Sequence, residues 1–165
     1  MTMRFTITQL RELQGELDAR IFKQHDTDRN RTRIDRCLAL SVEIGELANE
    51  TRCFKYWSVR PASAREVLLE ELEDSIHFLL SLGIDLEDKS EFIEGENDGK
   101  PLSESFLDFY RATSRLTFDF TLENYLACFT FVAVLAEKLG FDESDLVEFY
   151  LKKNMKNHQR QDTHY

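Results

Sequence analysis

The sequence predicts an all-α protein, a bundle of about six helices formed by one domain that spans residues 1–165. Apolar residues recur at intervals of three and four along most of the chain, which is the spacing of one helix face. Only six glycines and two prolines are present, so few positions would interrupt helices. A chain of 165 residues with 42% apolar content is long enough to bury the core of a single water-soluble domain.

Three helices are expected in the first half of the chain, over residues of about 8–23, 32–56 and 63–82. The polar stretch QHDTDRNRT separates the first two helices, and Pro61 interrupts the chain before the third. Thr8 and Ser63 are of the residue types that cap helix N-termini, and Gly83 suits a helix C-terminus. These signals predict two long helices, the second and third, joined by a short loop.

The second half is predicted to contain three more helices, over residues of about 103–115, 122–139 and 143–158. Thr121 and Asp142 are suitable N-caps, and Gly140 suits the end of the fifth helix. Before them, the acidic segment 85–101 (DLEDKSEFIEGENDGKP) is interpreted as a connector or a small accessory lobe. The helices that follow are rich in phenylalanine, which indicates either core or a helical dimer interface.

Composition narrows the class of function. A formal net charge of −10 argues against a nucleic-acid partner, since such surfaces carry basic stripes. Three cysteines without a CxxC spacing favour reduced thiols over a disulfide framework. The stretch MTMRFTITQLREL lacks the apolar run of a signal peptide, and no segment has the length of a membrane span. We therefore expect a cytoplasmic protein without a membrane partner.

Acidic residues interrupt the apolar faces of the second and third helices. Glu43 and Glu46 lie three residues apart within a stripe that contains Leu40 and Leu47. The third helix repeats the spacing with Glu71 and Asp74, which lie in the stretch VLLEELEDSIHFLL. If the two helices pack antiparallel across a short loop, the two acid pairs can face each other.

Four facing carboxylates would repel one another at low dielectric, so they must take up protons or bind a cation. Ligation by oxygen alone favours Mg²⁺ or Mn²⁺ over Zn²⁺, and Mg²⁺ commonly completes its coordination with substrate phosphates. This pattern is typical of enzymes that act on phosphoryl groups. The alternative is an ordinary solvated helix face, which is the usual explanation for one such pair alone. Glu50, Glu70 and Glu73 are expected to lie at the surface or beside the metal ligands without contacting the ion themselves.

Four stretches in this order resemble the dimeric, all-α dUTP diphosphatases of the all-α nucleoside triphosphate pyrophosphatase superfamily. They are LQGELD, EIGELANETRCFKYW, LEELEDSIHFLL and YLKKNMKNHQRQ. The acid pairs mark the superfamily, while FKYW and the C-terminal KNxxNHxRQ favour the dUTP branch. The resemblance covers most of the chain, with residues 85–120 the least diagnostic part. The first stretch ends in Asp18 where the family commonly has asparagine.

The resemblance implies three sets of site residues and a four-helix metal-binding core. Mg²⁺, with Mn²⁺ as a substitute, would be held by Glu43, Glu46, Glu71 and Asp74, and Glu43 would also orient the attacking water. The base would be contacted by Gln14, Asp18 and Trp57. The tail of residues 150–165 would bind phosphates through Lys153, Asn154, Lys156, Asn157 and Arg160.

The implied reaction is Mg²⁺-dependent hydrolysis of dUTP by a homodimer, with dUMP and pyrophosphate as the products. The resemblance leaves open whether dUDP is a second substrate. Three alternatives remain open at this point. A related enzyme of the superfamily would act on dCTP or on several triphosphates. A di-iron carboxylate bundle would use Asp74 and His77 as part of its Glu-x-x-His pattern, although the second helix supplies no matching histidine. A non-catalytic helical protein would use its aromatic half to bind a partner.

Overall fold

The computed structural model describes residues 1–164, which form an all-α fold with one small sheet and confirm the predicted class. The described residues contain six helices, named α1 (Thr8–Gln24), α2 (Arg29–Thr51), α3 (Arg65–Asp85), α4 (Leu102–Phe118), α5 (Leu122–Lys138) and α6 (Glu143–Asp162). The two strands are β1 (Thr2–Thr6) and β2 (Phe92–Glu96). Helix α3 is central, since it packs against α1, α2, α5 and α6.

The predicted apolar stripes of the second and third helices form the core between α2 and α3. Leu40 and Leu47 of α2 are buried, as are Leu72, Ile76 and Leu79 of α3. Complete burial of one such side chain stabilises the fold by about 1.5–3 kcal/mol. The core therefore fixes how α2 and α3 lie side by side, and with them the acidic residues that the two helices carry.

Helix α2 is displaced towards the N-terminus relative to the predicted 32–56. Asp28 caps it by accepting a hydrogen bond of 2.9 Å from the backbone N–H of Arg31. It ends at Thr51 because Arg52 adopts a left-handed conformation, with φ of 59°. As a result the FKYW stretch leaves the helix, and the side chain of Phe54 is exposed instead of continuing the Leu40–Leu47 stripe.

The sheet was not predicted, and it lies partly in the segment interpreted as a connector. β1 and β2 pair antiparallel, with Met3 opposite Gly95 and Phe5 opposite Ile93. Met3, Phe5 and Ile93 point into the core, so the strands show the alternation of a sheet with one buried face. At Gly95 a Cβ atom would lie 2.8 Å from the carbonyl oxygen of Thr130, which lets the sheet pack closely on α5.

Three of the predicted helix signals were wrong because tertiary contacts use those residues differently. Helix α1 begins at Thr8 itself, and the hydroxyl of Thr8 donates to the backbone carbonyl of Glu91 instead of capping the helix. Helix α3 follows Ala64, and Ser63 instead donates a side-chain hydrogen bond to Glu50. Gly83 lies inside α3, where the ring of Tyr125 fills the space that a Cβ would occupy, at 2.2 Å from the phenolic oxygen. The absence of a side chain at Gly83 thus permits helix packing and does not end the helix.

The last two helices meet at a bend of 113°. Gly140 at this bend has φ of 75°, a conformation that favours glycine. The predicted cap Asp142 accepts from the backbone of Asp145, and Asp145 accepts from the backbone of Asp142 in return, so both donors are satisfied. Among residues 1–164 no single helix is long and apolar enough to cross a membrane, while the bent pair α5–α6 passes the same test of length and composition.

Candidate active site

The packing of α2 on α3 gathers three of the four predicted metal-binding acids. Carboxylate oxygens of Glu43, Glu46 and Glu71 all lie within 4.8 Å of one another. Glu43 and Glu71 are half-buried and Glu46 is exposed, so the group opens to solvent on one side. The Oε2 atom of Glu43 is buried and has no hydrogen-bond partner within residues 1–164. An unsatisfied carboxylate oxygen among other carboxylates is the arrangement that a bound cation would relieve.

Electrostatics at this cluster favour proton uptake when no cation is present. Burial raises the pKa of Glu43 to about 8, and the negative charges of Asp74 and Glu46 contribute to the rise. Burial and the neighbouring Glu46 likewise raise the pKa of Glu71 to about 7. A divalent cation would compete with these protons, and a set of donors made only of carboxylate oxygens fits a hard cation. The residues present therefore suit a divalent metal ion.

Asp74, the fourth predicted ligand, lies beside the cluster and interacts with α6. Its carboxylate is 3.1 Å from the ammonium nitrogen of Lys153, which also donates a hydrogen bond of 2.8 Å to Glu70. The side chain of Lys153 is only 6% exposed, although it carries a charge. Burial lowers the pKa of Lys153, but its bonds to Glu70 and Asp74 outweigh this and raise the value overall. Lys153 thus remains charged next to the acid cluster.

The other residues of the predicted phosphate-binding tail continue along α6. The ammonium nitrogen of Lys156 is 3.7 Å from Glu70, and Arg160 donates a bond of 3.3 Å to the side chain of Asn157. Asn154 is buried, and its Nδ2 has no hydrogen-bond partner in the described part of the chain. The helix extends to Asp162, four residues beyond its predicted end, and Arg20 of α1 pairs with Asp162 there.

Gln14 and Asp18, the predicted base contacts on α1, belong to a buried hydrogen-bond network. The amide oxygen of Gln14 accepts from the hydroxyl of Tyr150 at 2.9 Å and lies 2.7 Å from Nδ1 of His77. Its amide nitrogen donates to Asp18 at 2.8 Å. Asp18 also accepts from Ser81 at 2.6 Å, which leaves it little freedom to bind another group.

Sequence reasoning missed Tyr150, Ser81 and the contact between His77 and Gln14. His77 does stack on the ring of Tyr150, with 4.3 Å between ring centres, but it also contacts Gln14. Glu73, His77 and Ser81 recur every four residues on α3, and this polar stripe in an apolar helix is the signal that could have identified them.

Glu73 was predicted to lie at the surface or behind the cluster, and the surface assignment is wrong. Its side chain is completely buried, and neither carboxylate oxygen has a hydrogen-bond partner within residues 1–164. Burial raises the pKa of Glu73 well above its usual range, so we expect it to be protonated in the folded protein. The helical periodicity places Glu73 on the face of α3 that also carries His77, away from Glu71.

Trp57, the third predicted base contact, is separate from this network. It lies in the segment between α2 and α3, and its side chain is 65% exposed. Its ring contacts Phe54 and Tyr56 edge-on, with centres 6.1 and 5.1 Å away. Gln14 and Asp18 are buried where α1 packs on α3 and α6, whereas Trp57 is exposed. The structure therefore does not bring Trp57 next to the other two predicted base contacts, and its contact with a base stays a prediction.

The acid cluster makes the stability of the metal-free protein depend on pH. Glu43 and Glu71 have ordinary pKa values of 4.5 that folding raises to about 8 and about 7. At neutral pH the folded state therefore holds protons that the unfolded chain has released. The stability that these protons contribute is fully present below pH 4.5 and is lost as the pH rises towards 8. We expect thermal denaturation in chelator to show a smaller loss between pH 5 and pH 8 for Glu43→Gln than for the wild type. Identical losses would contradict the raised pKa of Glu43.

Comparison with known proteins adds one finding to this geometry. A family model described as dUTPase (dUTPase_2) matches residues 6–165, which is nearly the whole chain. The match includes both acid pairs, the network around Gln14 and the C-terminal tail. No curated protein sequence matches the chain.

Proposed function

Because the chain belongs to the all-α dUTPase family and is a dUTP diphosphatase, we propose that its hydrolysis of dUTP to dUMP and pyrophosphate depends on Mg²⁺ held by carboxylates of α2 and α3. The family generally uses a divalent metal. The observation that carries the choice of site is the group of Glu43, Glu46 and Glu71, whose oxygens converge within 4.8 Å. Oxygen ligands and substrate phosphates together are the environment that Mg²⁺ prefers, with Mn²⁺ as a substitute.

The proposed ligands are the three clustered acids and Asp74 beside them. When bound, the metal would neutralise charge on the triphosphate and make water more acidic. Asp74 is paired with Lys153, so its carboxylate would be shared between the ion and that lysine. The donor set consists of carboxylates, and His77 instead contacts Gln14, which disfavours the di-iron alternative.

Glu43 is proposed to accept a proton from the attacking water and to hold that water for in-line attack. Its carboxylate has an unpartnered buried oxygen, and burial with neighbouring charges raises its pKa to about 8. Only the ionised carboxylate can accept a proton from water, so this raised pKa has to fall when the site is loaded. The cation would lower this pKa in the loaded site, which keeps Glu43 ionised at neutral pH.

Phosphate binding is assigned to α6, through Lys153, Asn154, Lys156, Asn157 and Arg160. Lys153 lies 3.1 Å from Asp74, and Lys156 is 3.7 Å from Glu70, the residue before Glu71, which supports this assignment. Guanidinium and ammonium groups donate charge-assisted hydrogen bonds to phosphate oxygens. The base is assigned to the neighbourhood of Gln14, with Trp57 as a cover from the segment that follows α2.

A nucleotide panel tests this function directly. We expect pyrophosphate and dUMP from dUTP in the presence of Mg²⁺ or Mn²⁺, no turnover in excess chelator, and slower reaction of dCTP, dTTP and UTP. The inclusion of dUDP shows whether the diphosphate is also cleaved. Turnover of dUTP in chelator would contradict the metal proposal, and equal rates for dCTP and dUTP would contradict the choice of base.

An exposed apolar face supports a homodimer. On α2, Ile34 and Leu38 are each 65% exposed, and Val42 is 49% exposed at the next position of the same face. Phe118 of α4, 89% exposed, lines a groove with Ile34 and Leu38, and Leu107, 54% exposed, lines another with Gly45 of α2. Contiguous exposed apolar residues of this size are characteristic of protein interfaces. Val42 also lines a groove with Glu46 and Glu71, so a partner on this face would approach the acid cluster.

Leu38→Asp is expected to convert the proposed dimer to a monomer, because it introduces a charge into the centre of this face. Light scattering coupled to gel filtration at micromolar concentration measures the mass. Val59→Asp is the matched control, since Val59 is fully exposed in the loop before α3 and should leave the mass unchanged. A monomeric wild type, or a dimer that survives Leu38→Asp, would contradict the assignment of this face.

A further inference from the structure

We propose that Glu70 occupies the phosphate-binding lysines of α6 in the nucleotide-free protein, and that phosphate groups must displace it when they bind. Glu70 thus lowers the affinity for polyphosphates and favours release of the pyrophosphate product. The inference rests on the proposed function, because it requires phosphates to bind Lys153 and Lys156 of α6.

Glu70 is the anion that the two lysines share. Its Oε1 atom lies 2.8 Å from the ammonium nitrogen of Lys153 and 3.7 Å from that of Lys156. The hydrogen bond from Lys153 lowers the pKa of Glu70 below its ordinary value, and the charges of Lys156 and Arg160 contribute, although burial opposes them. Phosphate oxygens bind ammonium groups through the same kind of charge-assisted hydrogen bond. The carboxylate of Glu70 therefore uses the cations that a phosphate would need.

The surroundings of Lys153 leave little room for a phosphate beside the present partners. The side chain of Lys153 is only 6% exposed. A second carboxylate, that of Asp74, lies 3.1 Å from the same ammonium nitrogen that bonds Glu70. A phosphate oxygen can therefore bind this nitrogen only if one of the two carboxylates moves aside.

Glu70 is the carboxylate that can move at little energetic cost. Its side chain is 39% exposed, against 23% for Asp74, so its carboxylate can turn into solvent and be hydrated there. An ion pair with an exposed partner contributes little to the stability of the fold. Asp74 is a proposed metal ligand, which a bound cation would retain in the site. Movement of Glu70 into solvent also takes a negative charge away from the triphosphate, which reduces repulsion.

This exchange of anions affects substrate and product alike. A polyphosphate gains its bonds to Lys153 and Lys156 only after their bonds to Glu70 are lost, so the net affinity is lower. Pyrophosphate retains most of the charge of the triphosphate, and without a competing anion it would stay bound to the lysines and the metal. The return of Glu70 gives both lysines an anionic partner as pyrophosphate leaves. Glu70 therefore speeds the emptying of the site.

The first test measures the dissociation constant of inorganic pyrophosphate by calorimetry with Mg²⁺ in the wild type, Glu70→Gln and Glu66→Gln. Glu66 is exposed one turn earlier on α3, so its change to glutamine is the matched control for net charge. We expect pyrophosphate to bind about three- to tenfold more tightly to Glu70→Gln, with no change for Glu66→Gln. Unchanged or weaker binding to Glu70→Gln would overturn the inference, and weaker binding would indicate that Glu70 orients the lysines for phosphate.

Steady-state kinetics with dUTP provide the second test. We expect Glu70→Gln to lower both KM for dUTP and the inhibition constant of pyrophosphate by about the same three- to tenfold factor, without a rise in kcat. Damage to the fold or to the chemical step would instead lower kcat/KM. A fall in kcat/KM, or an unchanged inhibition constant of pyrophosphate, would overturn the inference.

Lys153→Met separates failure of this inference from failure of the proposed function. The variant removes the ammonium group for which Glu70 and phosphate compete, so we expect weak binding of pyrophosphate and a smaller effect of adding Glu70→Gln. Pyrophosphate binding as tight as that of the wild type would contradict the assignment of phosphates to α6, and with it this part of the proposed function. Weak binding to Lys153→Met together with wild-type binding to Glu70→Gln would leave the phosphate site in place and overturn only the competition by Glu70.

Discussion

Glu43→Gln is expected to lower kcat for dUTP by about 10²- to 10⁴-fold, the range typical of the loss of a general base. The amide has nearly the same shape as the carboxylate but cannot accept a proton from water. It is also a weaker ligand for a divalent cation, so Mg²⁺ affinity should fall as well. Assays over a range of Mg²⁺ concentrations separate the two effects, because only the loss of affinity is recovered at saturation.

The fold should tolerate this change. Glu43 lies in a group of acids whose mutual repulsion contributes to raising its pKa to about 8, and an uncharged amide relieves that repulsion. Circular dichroism should therefore show an intact helical protein, with metal-free stability at pH 8 equal to or above that of the wild type. Glu66→Gln, at an exposed position in the first turn of α3, controls for the change in net charge. Near-wild-type kcat at saturating Mg²⁺ would refute the role of Glu43.

Lys153→Met is expected to lower kcat/KM by about 10- to 150-fold, the equivalent of one charge-assisted hydrogen bond. Methionine retains much of the buried stem of Lys153, whose side chain is 6% exposed, but removes its charge. The substitution takes away a proposed contact to the triphosphate. It also leaves Glu70 and Asp74 without the ammonium group that lies 2.8 and 3.1 Å from them.

The loss of that ammonium group has a second consequence that can be measured without substrate. Burial raises the pKa of Asp74 while Lys153 opposes the rise, so Lys153→Met should raise it further. We therefore expect the free energy of unfolding of the metal-free variant to fall more steeply than that of the wild type as the pH rises above 3.8, the ordinary pKa of an aspartate. Lys152→Met removes a charge from the neighbouring exposed position and should change neither activity nor pH dependence. If both lysine variants behave alike, Lys153 has no specific role.

The sequence by itself determined the features that depend on local periodicity. Leu40 and Leu47 mark the buried face of α2, and Leu72 and Ile76 mark that of α3, because residues at helical spacing share one side. The acid pairs stand at the same spacing, so the convergence of Glu43 and Glu46 on Glu71 could be inferred before the structure. The family could also be recognised, since its motifs are contiguous stretches of residues.

Only the tertiary structure decided the features that depend on distant partners. β1 pairs with β2, and Thr2 lies opposite Glu96, a contact that no local pattern encodes. Asp18 receives its bond from Ser81 across 63 residues, and Gln14 receives one from Tyr150 across 136 residues. The burial of Glu73 likewise follows from the packing around α3 and not from its position in an acidic run. Local propensity fixes which residues share a helix face, whereas the orientation of a buried amide and the burial of a charge depend on the atoms that other segments bring next to it.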